Sequence, residues 1–388
     1  MATSLAPSPN PLPRAGEGSV ALYVHWPFCI SKCPYCDFNS HVRATVDQDA
    51  WRDALLADLG HESRLAGRRP LRSIFFGGGT PSLMPPATVA AVIDAAVGAW
   101  PAEPALEVTL EANPSSVEAA NFRDLAAAGV NRVSLGLQAL DDDALRFLGR
   151  AHGGGEGLAA LEAAQSAFAR VSFDLIYARP GQSSADWEAE LARALAFGTE
   201  HLSLYQLTVE PGTRFATLLA RGDLEEVDPD LAADILIATR EQAAAAGLPA
   251  YEVSNHARPG AESRHNLQYW RGLDYLGIGP GAHGRRGGVR TERHRKPENW
   301  LAAVSRNGHG LSEEAPLDPA ERTAEALLMG LRLTDGLPVA NLAAPQIVDW
   351  SAAERLRAAG LLAPDRDRLR ATPDGSLVLN AILAELLA

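Results

Sequence analysis

Ala21-Leu-Tyr-Val-His25-Trp-Pro-Phe-Cys29-Ile-Ser-Lys-Cys33-Pro-Tyr-Cys36 decides how this chain is read. Its first five residues form an apolar run of strand length, and the run leads into a loop with C-x3-C-x2-C spacing. These are the only three cysteines among 388 residues. A disulfide framework needs pairs spread across a fold, so thiols gathered on one loop point to metal binding in a reducing compartment. Three thiolates can hold three corners of a cubane iron–sulfur cluster, whereas electron-transfer clusters ordinarily use four. One iron then lacks a thiolate and keeps the open position that a reactive metal centre needs. An amino-carboxylate such as that of methionine could chelate it. Two other readings stay open: a Cys3His zinc site completed by His25 or His41, and three metal-free thiols. Zinc ligands usually come as two pairs far apart in sequence, which these do not.

Outward from this loop, short apolar runs alternate with helical patterns. Trp51, Leu55 and Leu59 share one face of a helix expected from about Asp47 to Leu65. Ser73–Phe76 is the second run and ends in Gly77-Gly-Gly-Thr-Pro-Ser82, with a helix following over Ala87–Ala99. Leu106–Glu111 is the third, after which Ser116 is expected to cap a helix that stops at Gly129. Arg132–Gln138, Val171–Tyr177 and His201–Thr208 complete the set. Six β–α repeats predict an α/β fold, a partial (β/α)6 TIM-like barrel of parallel strands with helices outside. In such folds chemistry gathers at the carboxyl ends of strands. The cysteines, the glycine run, Glu111, Gln138, Asp174 and Tyr205-Gln206 all fall there.

The first eighteen residues are rich in Pro, Ser, Gly and Ala and read as a disordered tail, without the apolar stretch of a secretory signal. Residues 19–250 are the expected core domain, 251–312 an extension rich in Gly, His and Arg, and 313–388 a C-terminal domain. A linker is expected near Glu313–Pro319. The C-terminal domain reads as mainly helical and winged-helix-like, with a strand pair at Leu369–Thr372 and after the Pro373-Asp374-Gly375 turn, although Ser376–Leu387 can also be read as helix. Acidic residues number 48 against 35 basic, a net charge of −13. A surface this negative repels phosphate backbones, so nucleic acid is not an expected partner. Between Pro316 and Ala388 there are ten acidic and seven basic residues, against a DNA-binding use of the C-terminal layout. No apolar run is long enough to span a bilayer, and the expected location is the cytoplasm.

The strings Tyr23-Val-His25-Trp-Pro-Phe-Cys29, Lys32-Cys33-Pro-Tyr-Cys36-Asp-Phe38 and Phe76-Gly-Gly-Gly-Thr-Pro-Ser82 resemble the radical-SAM superfamily, and within it the HemN/HemW branch. The resemblance runs over nearly the whole chain from about Ala21. It implies a [4Fe-4S] cluster on Cys29, Cys33 and Cys36 that is presented to S-adenosylmethionine (SAM). Carried over by motif, Tyr23 contacts SAM, Tyr35 packs on it, and Gly78, Gly79 and Thr80 approach its amino group through backbone carbonyls. Glu111 in Thr109-Leu-Glu-Ala-Asn-Pro114 matches the SAM-binding acid, and Gln138, Arg150 and Asp174 match further SAM contacts. The chain departs from its relatives at Ala178-Arg179-Pro180, where they typically have Gly-Leu-Pro.

Within the branch, the oxygen-independent coproporphyrinogen III dehydrogenases carry a further cysteine two positions after the third, where this chain has Phe38. They also have a longer N-terminal segment. His265-Asn-Leu-Gln-Tyr269-Trp270 matches the H-N-x-x-Y-W motif of the HemW heme chaperones. In a helix His265 and Tyr269 would share a face, and an imidazole is a natural axial ligand for heme iron. The resemblance thus implies a chaperone that binds heme, with His265 as its candidate ligand, and passes it to acceptors such as respiratory enzymes. The alternatives are a coproporphyrinogen III dehydrogenase and a zinc-stabilised winged-helix interaction protein. Leu276-Gly-Ile-Gly279-Pro-Gly281-Ala-His283 superficially matches a dinucleotide fingerprint, but Pro280 in its turn and its late position exclude that use.

Overall fold

The computed structural model describes residues 18–43 and 45–387. The tail expected over residues 1–18 lies, but for Gly18, outside the described residues. The strands are β1 (Val20–Trp26), β2 (Phe28–Cys29), β3 (His41–Val42), β4 (Leu71–Gly78), β5 (Ala102–Ala112), β6 (Arg132–Gln138), β7 (Arg170–Tyr177), β8 (His201–Gln206), β9 (Asn255–Ala257), β10 (Tyr275–Ile278), β11 (His283–Arg286), β12 (Val289–Arg293) and β13 (Leu311–Pro316). Eleven of them form one sheet in the order β13-β12-β11-β10-β1-β4-β5-β6-β7-β8-β9. The run β1-β4-β5-β6-β7-β8 is parallel throughout and follows chain order, each crossover returning to the next position. These are the six expected repeats. The short parallel pair β2–β3 clasps the two ends of the cysteine loop.

Alternation along these strands separates core from site. Leu22 and Val24, Ile74 and Phe76, Leu110, Val133 and Leu135, Phe173 and Leu175, Leu202 and Leu204 are buried in the main apolar core. The residues between them, Tyr23, Phe75, Glu111, Ser134, Asp174 and Ser203, line cavities on the other face. A strand repeats every two residues, so this pattern builds an apolar layer under the helices and a polar interior with the same backbone.

Helix Gln48–Ala66 is capped by Asp47, whose side chain accepts from Ala50 N. It buries Trp51, Leu55 and Leu59 as expected, and also Asp58 and Glu62 on the same side. Asp58 accepts from Arg293 Nε, Trp300 Nε1 and the backbone N–H groups of Gly279 and Gly310. Glu62 pairs with Arg293 at 2.5 Å and Arg286 at 2.7 Å. Buried charges persist only when paired in this way. The network fastens the helix to the strands beyond residue 274.

Three local expectations are corrected. The segment near Glu313–Pro319 is no linker at its start: Leu311–Pro316 is an edge strand, with Glu313 bonded to Arg290 and Glu314 to Arg286 across β12 and β11. Cross-strand charge pairs supply what its weak β-propensity lacks. The C-terminal strand pair joins Leu337–Pro338 to Arg368–Leu369. Pro373 opens a helix rather than a hairpin, since Thr372 caps Gly375 N and proline suits the first helical position. Ser115, not Ser116, caps the helix after β5, accepting from Glu118 N.

Candidate functional site

The cysteine loop, the glycine run after β4 and the ends of β5 to β8 surround a cavity of about 520 Å³. That volume suits a small-molecule ligand. Cys29, Cys33 and Cys36 all line it, with Tyr35, Gly78, Gly79, Thr80, Glu111, Gln138, Arg150 and Asp174. Eleven positions expected from sequence are thereby brought to one place.

Each thiol has a donor or hydroxyl beside it. Thr80 Oγ1 donates to Cys29 Sγ at 3.6 Å, Arg150 Nη1 to Cys33 Sγ at 3.3 Å, and Ser40 Oγ lies 3.9 Å from Cys36 Sγ. Such donors favour thiolates, the form that binds metal. Burial raises the Cys29 and Cys36 thiol pKa values, so loading a metal would displace protons. Among the described residues, no three His, Cys, Asp or Glu side chains converge on a single-ion position. Three thiols arrayed around a cavity suit a multi-iron cluster better than one zinc ion. His25 is not open as a zinc ligand either: its Nδ1 meets Tyr23 Oη at 2.9 Å and its Nε2 meets Asn39 O at 3.0 Å.

Close packing holds the loop in place. A Cβ on Gly79 would lie 2.6 Å from Phe28 O, so only glycine lets the β4 end pair its backbone with the cysteine loop. Gly79 N donates to Trp26 O and Thr80 N to Phe28 O. Gly149, at φ +64, passes Pro34 at a distance that a Cβ would reduce to 2.6 Å, which delivers Arg150 to Cys33. Asn39 Nδ2 donates to Pro280 O and Arg295 O, both at 2.9 Å. The Gly279-Pro280-Gly281 turn thus braces the cysteine loop.

Glu111 and Asp174 are half-buried carboxyls. Burial, then the charge of Asp174, pushes the Glu111 pKa up to about 8, although Gly78 N–H donates to it at 3.2 Å. Asp174 is pushed up to about 6 by burial and accepts from Ser134 Oγ at 3.2 Å. Two carboxyls facing one cavity, both with raised pKa values, suit a cationic ligand that would favour their ionised forms. Gln138 adopts φ +70 at the β6 end, a strained conformation of the kind that clusters at functional sites.

Two expected residues sit elsewhere. Tyr23 and His265 line a second, smaller compartment deeper on the inner sheet face, not the cysteine cavity. His265 is 1 % exposed, with Nδ1 at 2.9 Å from Ser73 Oγ and Nε2 at 2.8 Å from Tyr269 Oη. Burial, then the charge of Arg132, lowers its pKa to about 3. Both ring nitrogens are engaged, so His265 is a buried pin here rather than an open heme ligand. The expected sharing of a face with Tyr269 is observed. Asn113, which joins Thr80 Oγ1 at 3.0 Å to Arg150 Nη2 at 2.6 Å, was missed. Its signal lay in the Ala-Asn-Pro end of the Glu111 motif.

A three-cysteine loop over the carboxyl ends of a parallel sheet, with half-buried carboxyls opposite, is the arrangement of a cluster-bearing SAM-binding protein. The model of the radical SAM superfamily matches residues 23–194, and that of the HemN C-terminal domain matches residues 317–378. The chain is 42 % identical to the bovine mitochondrial protein named radical S-adenosyl methionine domain-containing protein 1, over 97 % of this chain and 89 % of that one. It is 36 % identical to the heme chaperone HemW of Escherichia coli, over 95 % of this chain and 98 % of that one. The Escherichia coli coproporphyrinogen III oxidase HemN shares its fold, with a TM-score of 0.81 at 22 % identity over 97 % of this chain and 91 % of that one. The chain belongs to the radical-SAM superfamily, in the family of HemW. A [4Fe-4S] cluster and SAM are the cofactors of that superfamily. The three thiols and their donors fit the cluster, and the cavity with Glu111 and Asp174 fits a sulfonium ligand. When held by Cys29, Cys33 and Cys36, the cluster would offer an open iron for SAM to chelate.

Proposed function

We propose that this chain is a heme chaperone. It holds heme and passes it to acceptor proteins such as respiratory enzymes, working in the cytoplasm with a SAM-ligated cluster. The observation that carries the reading is the full-length likeness to HemW chaperones. The cavity mouth supports it. Ile30 is 64 % exposed and Phe38 61 % exposed beside Lys32, and all three line the cavity. Apolar and aromatic side chains suit a porphyrin face, and an ammonium suits a propionate. Exposed apolar groups grouped at a cavity rim mark a binding surface. Heme ligation by His265 enters this reading only if its helix, Arg264–Trp270, opens and frees a ring nitrogen from Ser73 or Tyr269.

The test is anaerobic reconstitution of the cluster, followed by heme titration with 5′-deoxyadenosine measured in the same sample. Saturable heme binding without turnover of coproporphyrinogen III supports the chaperone. Decarboxylation of coproporphyrinogen III with stoichiometric 5′-deoxyadenosine would make the protein a dehydrogenase instead. No helix among the described residues is long and apolar enough to cross a membrane, so delivery to a membrane-bound acceptor would require docking.

A further inference from the structure

Helix Arg214–Arg221 has no role in the account so far. The segment that carries it, residues 207–224, follows β8 and reaches the cysteine loop. Phe215 N donates to Pro34 O at 3.0 Å. Between Ser31 and Cys36 this is the only backbone hydrogen bond to another element among the described residues. Pro34 has no N–H, so its carbonyl is the one backbone group by which that residue can be held. The Phe215 ring lies 6.3 Å from that of Tyr35 and 5.0 Å from that of Phe147. Gly149 packs on the same proline, so the turn between Cys33 and Cys36 is gripped by both residues. Leu207, Thr208 and Glu210 of the segment also line the cysteine cavity.

The segment is fastened lightly. Its apolar residues do not join the main core: Phe215, Leu218 and Leu224 pack in a separate small cluster with Tyr35, Leu145 and Leu148. Phe215 is the only buried residue of its helix. Left-handed glycines stand beyond both helix ends, Gly212 at φ +82 and Gly222 at φ +76, and a Cβ on either would meet nothing within 4 Å. An element that buries one side chain between two unencumbered turns opens at lower cost than the sheet beneath it.

We propose that residues 207–224 are a strap that closes on the cysteine loop, with Phe215 as its latch and as a positioning residue for the Cys33–Cys36 turn. Closed, the Phe215 amide fixes the Pro34 carbonyl and its ring backs Tyr35, so the turn between two thiols keeps one shape. Open, the strap withdraws the cavity wall at Leu207, Thr208 and Glu210 and frees the turn. The open state is the one that admits or loses iron and sulfide. The strap acts on the cysteine loop and does not depend on the protein carrying heme.

The test follows iron release to a ferrous chelator from anaerobically reconstituted, cluster-loaded protein. Wild type, Phe215→Ala, Phe215→Leu and Phe168→Ala are compared, each at the same interval below its own melting temperature. Phe168 is the control for general destabilisation, since it is buried against Phe122 in the main core and outside the strap's cluster. Deleting the latch ring should speed release at least about tenfold. Phe215→Leu should restore most of the wild-type rate, and Phe168→Ala should stay within about twofold of it. Phe215→Ala that folds but retains no cluster, where Phe168→Ala retains it, supports the strap as fast release does. No acceleration in Phe215→Ala, or equal acceleration in Phe168→Ala, overturns the proposal. If Phe215→Ala does not fold, hydrogen exchange of the wild type decides. Peptides covering residues 213–221 should gain protection severalfold when the cluster is loaded, and equal protection in cluster-free and loaded protein overturns the strap.

Discussion

Arg150 Nη1 lies 3.3 Å from Cys33 Sγ, while Nη2 of the same guanidinium holds Asn113 Oδ1 at 2.6 Å and Gly136 O at 2.9 Å. The arginine therefore ties a cluster ligand to the ends of two strands, and its positive charge faces sulfur. Charge and hydrogen bonds at cluster sulfurs set reduction potential. Arg150→Met should lower the iron retained after desalting and shift the cluster potential to more negative values. Iron content and a redox titration followed by electron paramagnetic resonance check this. An unchanged potential would place Arg150 outside the cluster's field.

The pH dependence of stability should isolate Glu111. Its folded pKa, about 8, exceeds its unfolded value of 4.5, so the folded state keeps a proton that the unfolded state has lost. Stability then falls as pH rises across that interval. The buried histidines act oppositely, their lowered pKa values giving stability that rises with pH only up to about 6.5. Asp174, raised to about 6, adds to the decline only below about pH 7. Between about pH 6.5 and 8 the melting temperature of SAM-free protein should therefore decline, and Glu111→Gln should flatten the decline. Thermal melts of both proteins across this window check it.

Arg293 is fully buried between Asp58 and Glu62. Arg293→Met strips buried Asp58 of its counter-charge and leaves buried Glu62 to Arg286 alone. Breaking such a pair costs about 3–5 kcal/mol, and chemical denaturation should report a loss of that size. A loss under about 1 kcal/mol would mean that the carboxylates find other partners.

Ala178 adopts φ +54, a left-handed conformation that favours glycine. Ala178→Gly relieves about 1–2 kcal/mol of local strain, against about 0.5–1 kcal/mol of added unfolded-chain freedom. A net stabilisation of about 0.5–1 kcal/mol is expected in denaturant melts.

The six parallel strands and the cysteine cavity were legible in the sequence because apolar runs and special residues coincide at strand ends. The strands beyond residue 274 were not. Their residues, such as Arg286, Arg293 and Glu313, are charged, and they become strand through pairing with Asp58, Glu62 and one another. Those partners stand more than two hundred positions away in the first two cases, beyond any local pattern. Phe215 escaped notice for a related reason. In sequence it is one apolar residue near a helix start, and only the fold sets it against Pro34 and Tyr35. His265 shows the converse. Its motif was plain, but the bonds from Ser73 and Tyr269 that occupy its ring depend on strand β4 lying alongside.

Electron paramagnetic resonance of the reduced, anaerobically reconstituted protein, recorded before and after addition of SAM, tests the central claim most directly. A cluster held by Cys29, Cys33 and Cys36 alone leaves one iron open, so the account predicts about four irons and four acid-labile sulfides per chain and a signal that changes shape when SAM binds. Zinc without sulfide, or a cluster signal indifferent to SAM, would contradict it.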